Sequence, residues 1–515
     1  MYWCKIARTP QEFDEIAQLN YATFVEEIPQ HEPNETKRKV DRFHDGNTYL
    51  LVYKNTKMVA MLTFRDQRPF SLDEKIGAVE THLPQEVCVK LCEMRLLAVK
   101  KEYRTGRVFL RLTQAVYNFA YDQGYTAVVI SGTTREQKLY TQMGFVQFAE
   151  AVGTADAQFL PMVLTRERFQ KHLEERLVTN STTFYPGPVR QLQPLEQTGL
   201  SHRSGTFQRL LRTMNEKLLE LSHANYVSAL VGSGTLANDV MLGQLKERSE
   251  RGLILSNGEF GGRLIAQAEQ WTLDFEAMQF DWGQAFDLDS IQAKLKTGKF
   301  GWLLFVHGET STGTYNDLET LGEMAKQYQV KLCADCISTF GALPYSMEEL
   351  YLATSTSGKA IGAVSGLAFV FSQELAKPAR IPAYLNLQHY QAIGIPFTIP
   401  ATLVDNVAKA LRNYPERYAQ LQLRYEMLQT TEVMKRFALK TRGYPMIVTL
   451  IMPKGLCHFS DDLKLNGLYV HCESNYLLEH DFMQLSIIQP GFEEAIGELE
   501  KIFSYYMQVH IGDGV

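Results

Sequence analysis

Hydrophobic and polar positions over the first 165 or so residues predict a compact α+β unit. The segment Thr9–Glu12 combines a capping threonine, a proline at the first helical position and a glutamate at the third, which together predict a helix start. Two β-rich runs, Thr48 to Tyr53 and Met58 to Phe64, flank a polar turn and predict a hairpin. A strand, an amphipathic helix and a second strand are then predicted over 90–99, 108–123 and 127–131.

From about residue 184 the pattern changes, because short apolar runs that suit strands buried on both faces alternate with helical segments. These runs are Ser228 to Val231, Gly252 to Leu255, Trp302 to Val306, Val330 to Cys333 and Gly366 to Phe371. The alternation predicts an α/β domain with a mostly parallel central sheet. Beyond about residue 400, a long helical pattern over Leu403–Leu428, a strand-like stretch and a final helix predict a smaller α+β domain.

The predicted organisation is therefore an N-terminal α+β domain over residues 1–170, a linker over 171–183, a large α/β domain over 184–400 and a small C-terminal domain over 401–515. The length of 515 residues, with 45% hydrophobic and 21% charged residues, agrees with several globular domains. The sequence contains no internal repeat.

Charge and composition narrow the possible partners. With 52 Lys and Arg against 58 Asp and Glu, the net charge of −6 provides no basic field for nucleic acid or an anionic membrane. No apolar run approaches 18 residues and the start shows no secretory pattern, so a cytoplasmic location is expected. The seven cysteines are expected to be free thiols. Cys333 and Cys336 have metal-ligand spacing, but no second pair completes a zinc set, so packing is the favoured interpretation and no metal is expected.

A basic turn that contains a glycine joins the predicted strand 90–99 to the helix that follows. Arg104, Gly106 and Arg107 lie in this turn, where free backbone N–H groups and the helix dipole suit an anion such as a pyrophosphate. Together with the segment KLYTQMGF at 138–145, the turn resembles the GNAT acyltransferase superfamily, and more loosely its N-acyl amino acid synthase branch. The resemblance implies that these three residues bind acyl-coenzyme A, or that an acyl carrier protein serves as donor.

The same resemblance implies that Glu93 is the base for an incoming amine and that Tyr140 is the acid that protonates the leaving thiolate. Two structural alternatives stay open: Glu93 as a surface partner of Arg95 or Lys100, and Tyr140 as cover for the edge of the core. The turn also departs from the family pattern, because its glycine falls one place early and Phe109 occupies the last small position. A non-catalytic binding module is therefore the alternative for this domain.

Separate motifs in the C-terminal half agree in type and order. The turn Gly232–Thr235 opens a helix and suits a phosphate. The segments NGEFGGR at 257–263 and HGETSTG at 307–313 follow, and then Asp335 at a strand end and Lys359 24 residues later. This combination is what pyridoxal phosphate (PLP) chemistry needs, because a lysine binds the cofactor covalently and a carboxylate keeps its ring nitrogen protonated.

With the opening PGP at 186–188 and SHRS at 201–204, residues 184 to 490 resemble the class V aminotransferases of PLP fold type I. The alanine–glyoxylate and 2-aminoethylphosphonate aminotransferases look most similar. The resemblance implies Lys359 as cofactor lysine and proton shuttle, Asp335 as partner of the ring nitrogen and Phe260 as the stacked ring. It further implies a homodimer and these other cofactor contacts: Ser233, Gly234 and Thr235 at the phosphate, Thr310 near the phenolic oxygen, and Thr398 at the phosphate of the neighbouring subunit.

Two residues depart from the pattern of this family. Gly358 stands where the family commonly carries Gln or Asn, which removes a hydrogen bond to the phosphate. Gln484 stands where an arginine grips the substrate carboxylate, and an amide cannot form that charged fork. The substrate then either lacks an ordinary amino acid head, with Gln484 itself in the substrate site, or is bound by another arginine. The candidate arginines are Arg190, Arg203 and Arg442.

The leading hypothesis is a bifunctional enzyme, in which PLP-dependent amino transfer on a small amine and a keto or aldehyde partner is joined to N-acylation of an amine. The alternative keeps the fold but changes the reaction to that of a PLP-dependent lyase, decarboxylase or condensing enzyme.

Overall fold

The computed structural model describes residues 1–28, 31–134, 137–154, 157–169, 171, 182–191, 194–197, 199–456 and 458–510. The chain forms two compact units. The first comprises Met1–Thr182, His458–Tyr469 and Gly497–Val515, and the second comprises Thr183–Cys457 and Val470–Ile496. Most of the predicted linker 171–183 lies outside the described residues, at 172–181. Residues 401–515 are divided between the two units and do not form a compact unit of their own.

The N-terminal unit is built on one mixed sheet. Its strands are β1 Tyr2–Ile6, β2 Asn47–Lys54, β3 Lys57–Arg65, β4 Leu91–Val99, β5 Ala127–Thr133, β6 Val146–Gln147, β7 Val152–Thr154 and β8 Ala157–Thr165. The order is β1-β2-β3-β4-β5-β8-β6, with β7 also paired to β8. Strands β4 and β5 run parallel, whereas the other neighbours run antiparallel. The predicted hairpin is confirmed as β2 and β3.

The two long helices of this unit bury apolar residues. The helices of the unit are Pro10–Tyr21, Asp73–Ile76, Gly106–Asp122, Gln137–Gln142 and Phe459–Leu465. The first begins with the predicted capping box, in which the Thr9 hydroxyl accepts from Glu12 N and the Glu12 carboxylate accepts from Thr9 N. The helix Gly106–Asp122 buries Leu112, Ala115 and Phe119 against one face of the sheet. A smaller apolar cluster forms on the other face, around Leu72 and Val129.

The C-terminal unit contains a seven-stranded sheet. Its strands are β10 Tyr226–Val231, β11 Arg251–Ser256, β12 Phe275–Gln279, β13 Phe300–Val306, β16 Lys331–Asp335, β17 Leu352–Thr356 and β18 Leu367–Ser372. The short strand β9 (Thr182–Thr183) precedes them. Strands β14 Gly308–Glu309 and β15 Thr314–Tyr315 form a small hairpin. The sheet order is β10-β18-β17-β16-β13-β11-β12. β18 runs antiparallel to both of its neighbours, β10 and β17, and all other neighbouring strands pair parallel, which confirms the mostly parallel sheet.

Helices flank this sheet and leave the carboxyl ends of its parallel strands for the site. The helices of the unit are Gly205–Ser222, Gly234–Lys246, Glu259–Gln270, Leu288–Leu295, Leu318–Gln327, Leu387–Ile393, Ala401–Arg412, Tyr414–Gln429, Glu432–Phe437 and Asn475–Glu479. Of these, Glu432–Phe437 and Asn475–Glu479 contact Ile447–Ile451 and Phe482–Ser486, which form a separate pair of strands. The predicted helix Leu403–Leu428 is two helices that meet at Asn413, with a proline in the first turn of the second. The helix Leu318–Gln327 is capped by Asp317, whose side chain accepts from Thr320 N.

The remaining elements complete the chain. Strands β19 Ile447–Ile451 and β21 Phe482–Ser486 pair antiparallel in the C-terminal unit. The short strand β20 is Leu468–Tyr469, and the final helix is Phe492–His510. Within the described part of the chain, no helix is both long and apolar enough to cross a membrane.

Candidate active site

A cavity of about 610 Å³ lies at the carboxyl ends of the parallel strands in the C-terminal unit. Lys359, Asp335, Phe260 and Thr310 all line it, and so does the glycine-rich turn 232–235. These residues are far apart in the sequence, and the parallel strands bring them together because each strand delivers its following loop to the same edge of the sheet.

Asp335 is the last residue of β16 and lines this cavity. Asn238 Nδ2 donates to its Oδ2 at 2.7 Å, and the backbone N–H of Ile337 donates to its Oδ1 at 2.9 Å. Thr354 Oγ1 in turn donates to Asn238 Oδ1 at 2.7 Å, which orients the amide. Burial raises the pKa of the Asp335 carboxyl group, while these hydrogen bonds and the charge of Lys359 act in the opposite direction. The carboxylate is therefore fixed in position by neighbours on three elements.

Lys359 follows β17 and extends into the same cavity. Its Nζ donates to the backbone carbonyl of Pro186 at 2.8 Å. Burial lowers the pKa of its ammonium group to about 8, although Asp335 acts in the opposite direction. A lysine of ordinary pKa is almost wholly charged near neutral pH, so this shift makes the amine available as a nucleophile and proton acceptor.

The turn Gly232–Thr235 lies where the helix Gly234–Lys246 begins. Ser233 is the N-cap residue, and its side chain makes no capping hydrogen bond. A Cβ atom on Gly234 would lie 2.5 Å from Ile337 Cδ1, so a larger residue here would require the Ile337 side chain to move. Ser233 and Thr235 are exposed on the cavity side. Helix N–H groups and two free hydroxyl groups form a suitable site for a phosphate.

Phe260 is held in place by a buried carboxylate. Glu309 accepts hydrogen bonds from the backbone N–H groups of Phe260 at 3.3 Å and Gly261 at 3.0 Å, and also from Ser311. A Cβ atom on Gly258 would lie 2.5 Å from Glu309 Cγ, so the turn requires glycine there. Burial raises the pKa of Glu309. Glu309 thus fixes the turn that places the aromatic ring in the cavity.

The structure gives a steric reason for Gly358. A Cβ atom at this position would clash with the hydroxyl group of Ser365 and lie 3.0 Å from Ser365 Cα. Ser365 lines the cavity, so a hydroxyl group occupies part of the space that a larger residue at 358 would need.

Gln484 does not line the cavity in this structure. The side chain is fully buried, and its Nε2 donates to the carbonyl groups of Thr310 at 2.7 Å and Ser311 at 3.0 Å. Thr449 Oγ1 lies 2.9 Å from the same nitrogen, and His471 Nδ1 lies 3.0 Å from Oε1. Because both ends of the amide are engaged by the protein, Gln484 has a structural role in holding the loop of Thr310, unlike the substrate contact that the sequence predicted.

The three alternative arginines also lie outside the cavity lining. Arg190 and Arg203 are exposed. Arg442 pairs with Asp317 at 3.0 Å and stacks on the ring of Tyr315 at 4.2 Å. The guanidinium group that does line the cavity belongs to Arg263, which sequence reasoning missed.

Thr398 is exposed, and it does not line the cavity of its own chain. Its predicted contact with a neighbouring subunit stays a prediction.

In the N-terminal unit, Glu93 lies on β4 and is completely buried. Its carboxylate accepts from Ser71 N at 2.8 Å, Ser71 Oγ at 2.6 Å and Leu72 N at 2.9 Å. Arg95 Nε lies 3.9 Å away. Glu93 therefore already holds the loop after β3, and a role as base would require it to act on a further partner.

Beyond Glu93, strands β4 and β5 separate. The two strands pair over Leu91–Glu93 and Ala127–Val129. Beyond these residues, β4 remains paired with β3, and β5 remains paired with β8. The ring of Tyr140 packs beside this opening, since a Cβ atom on Gly132 of β5 would lie 3.0 Å from it.

Glu93 and Tyr140 lie on opposite faces of the sheet. Tyr140 packs with the apolar cluster beneath the helix Gly106–Asp122, whereas Glu93 bonds the segment of Leu72, which belongs to the other cluster.

The basic turn after β4 is engaged by an acidic residue. Both Nη atoms of Arg104 bond the carboxylate of Glu27 at 2.6 Å. Arg107 is exposed, and Gly106 opens the helix with free space around its Cα. The structure thus gives Arg104 a protein partner at the predicted coenzyme loop.

The residues of the C-terminal cavity fit PLP. An amine of lowered pKa, a buried carboxylate, an aromatic ring and a helix N-terminus packed closely through Gly234 match the lysine, ring-nitrogen, ring-face and phosphate contacts that the cofactor requires. The fold and this site define a PLP-dependent enzyme of fold type I.

Comparison with known families agrees. The acetyltransferase (GNAT) domain model matches residues 19–114, and the class V aminotransferase model matches residues 191–384. The chain therefore carries a GNAT domain in its N-terminal region and a class V aminotransferase domain C-terminal to it.

Curated relatives support the aminotransferase assignment. A 2-aminoethylphosphonate–pyruvate transaminase of Lysinibacillus sphaericus is 23% identical over 364 residues, which are 64% of this chain and 99% of the relative. A bifunctional phosphonoacetaldehyde hydrolase/aminoethylphosphonate transaminase of Clostridioides difficile is 26% identical over 296 residues, which are 52% of this chain and 46% of the relative.

Among solved structures, an aspartate aminotransferase from Thermus thermophilus gives a TM-score of 0.57 at 23% identity and covers 64% of this chain and 99% of its own. An alanine–glyoxylate aminotransferase from Nostoc sp. gives 0.55 at 20% identity, with 64% and 95% covered. At these identities, the likeness shows the fold. The chain is a PLP-dependent transferase.

Proposed function

We propose that the C-terminal unit transfers an amino group from a small amine that carries an anionic group to a keto acid or aldehyde. The observation that carries this proposal is the single cavity that Lys359, Asp335 and Phe260 share with the glycine-rich turn. Relatives named as transaminases of 2-aminoethylphosphonate and pyruvate support a phosphonate as the anionic group.

The residues of the cavity have distinct tasks. PLP, when bound, supplies an electron sink that no side chain provides. Lys359 would bind it covalently and, once displaced by the substrate amine, move a proton to and from the substrate carbon through Nζ. Asp335 would hold the proton on the ring nitrogen, because a positive charge beside a buried carboxyl group favours its ionised form. Ser233, Gly234 and Thr235 would hold the phosphate, and Thr310 would lie near the phenolic oxygen.

For the N-terminal unit, we infer acyl transfer from coenzyme A or an acyl carrier protein to an amine. The separation of β4 and β5 after Glu93 supports this inference. The gap between the two strands lies between Glu93 on one face of the sheet and Tyr140 on the other. An amine deprotonated by Glu93 on one face would attack the thioester carbonyl, and Tyr140 on the other face would protonate the leaving sulfur. Gly106 and Arg107 would contact the donor's phosphates, and Arg104 would join them after releasing Glu27.

We further propose a homodimer of the C-terminal units. The exposure of Thr398 outside its own cavity supports a contact with the cofactor phosphate of a second subunit.

The test is a pair of assays on the full chain loaded with PLP. With 2-aminoethylphosphonate and pyruvate, we expect alanine to form, and each half-reaction to alter the visible absorption of the cofactor. Failure to cycle with any donor and acceptor, while a donor is decarboxylated or loses a substituent, would establish the lyase alternative. In the second assay, calorimetry with acyl-coenzyme A tests donor binding: saturable binding supports the acyltransferase, and no binding would contradict it.

A further inference from the structure

One arginine is positioned to decide which amines the C-terminal cavity accepts. Arg263 lies on the helix Glu259–Gln270, three residues after Phe260. The spacing to Ala266, Gln267 and Gln270 places these residues on one side of the helix, and all of them line the cavity. Among the described residues of that lining, Arg263 and Lys359 are the basic ones.

The present partner of Arg263 is easily exchanged. Its Nε donates to Glu259 Oε1 at 2.8 Å, one helical turn away, and the side chain is 53% exposed. A solvent-exposed pair of this kind contributes little stability. Within the described part of the chain, the two Nη groups of Arg263 have no hydrogen-bond partner, so the planar fork remains available to a ligand.

The position of the guanidinium group also fits a substrate contact. It lies 4.8 Å from the centre of the Phe260 ring, which restricts its orientation by a cation–π contact. Gln484 is fully engaged by the protein, and Arg442 is paired with Asp317. Arg263 is thus the guanidinium group at the cavity that can bind an anion with two parallel hydrogen bonds.

We propose that Arg263 binds the anionic end group of the amine donor, a phosphonate or a carboxylate, and that Glu259 is the internal counter-ion that the donor displaces. This inference rests on the proposed amino transfer. It assigns the specificity for charged donors to a residue outside the C-terminal segment where the family carries its arginine.

The experiment compares Arg263→Gln, Glu259→Gln and the exposed control Arg209→Gln in the full chain loaded with PLP. For 2-aminoethylphosphonate, Arg263→Gln should raise KM roughly 10- to 100-fold with little change in kcat, because a charged hydrogen-bonded pair is lost. Ethanolamine, which lacks the anion, should show less than about a twofold change. Comparison with 3-aminopropanoate separates phosphonate from carboxylate as the preferred group.

Glu259→Gln gives the opposite test, since removal of the competing carboxylate should lower KM for the anionic donor about twofold. If the ion pair between Arg263 and Glu259 were only structural, both variants should lose activity. Equal effects of Arg263→Gln on charged and neutral donors, or a weaker binding of PLP in a visible titration, would overturn the proposal. In the latter case the arginine would contact the cofactor phosphate.

Calorimetry with ethylphosphonate, which cannot react, separates this inference from the proposed function. Binding to the unaltered protein that disappears in Arg263→Gln supports the arginine contact even if no amino transfer is found. Amino transfer with equal ethylphosphonate binding in both proteins, or no binding to the unaltered protein, contradicts the arginine contact and leaves the proposed function intact.

Discussion

The two candidate sites differ in how the protein already engages their ionisable groups. In the C-terminal unit, Lys359 and Asp335 face a cavity of about 610 Å³, and burial has moved both of their pKa values toward the neutral range. In the N-terminal unit, Glu93 accepts three hydrogen bonds and Arg104 forms a fork with Glu27. The C-terminal groups share one cavity in which a molecule can bind, whereas Glu93 is enclosed by its donors and Arg104 must first release Glu27.

The largest effect is expected for Lys359→Ala. Loss of the amine should lower amino transfer by roughly 10³-fold or more, because it removes both the covalent contact to the cofactor and the proton carrier. Alanine formation from 2-aminoethylphosphonate and pyruvate measures this loss. Lys246→Ala, on the surface, is the matched control. Retention of activity within tenfold would show that Lys359 is not the cofactor lysine.

Glu93→Gln tests the proposed general base of the N-terminal unit. If Glu93 is the base, acyl transfer to an amine should fall about 100-fold in kcat. The amide oxygen can still accept from Leu72 N and Ser71 Oγ, but the amide NH2 group would face the backbone N–H of Ser71, so the thermal midpoint should fall moderately. Tyr140→Phe is the companion variant on the other face. If kcat falls less than about threefold while the protein remains folded, Glu93 is not the base. Its role is then the structural one that its three hydrogen bonds show.

The smallest predicted effect is the pH dependence of cofactor uptake. The neutral form of Lys359 attacks the cofactor, and with a pKa of about 8 its neutral fraction rises about tenfold between pH 7 and 9 and then levels off. The rate at which cofactor-free protein binds PLP should follow this curve. A rate that continues to climb about tenfold per pH unit up to pH 10 would indicate a lysine of ordinary pKa.

The sequence was most informative where function depends on short motifs at strand ends. Asp335, Lys359 and the turn 232–235 share one cavity, as expected from a parallel sheet that delivers its loops to one edge.

The contacts that the sequence did not reveal join distant segments. Glu309 holds the turn of Phe260, and Asn238 holds Asp335, through hydrogen bonds that span 49 and 97 residues. No periodicity or local motif encodes such pairs. Gln484 was interpreted as a substrate contact because its position matched an arginine, but its amide is satisfied by the carbonyl groups of the Thr310 loop.

The most direct measurement of the central claim is borohydride reduction of the protein with PLP, followed by peptide mapping. We predict visible absorption before reduction and, afterwards, the mass of the cofactor on the peptide that contains Lys359. Label on a different lysine, or no absorption after PLP is added, would contradict it.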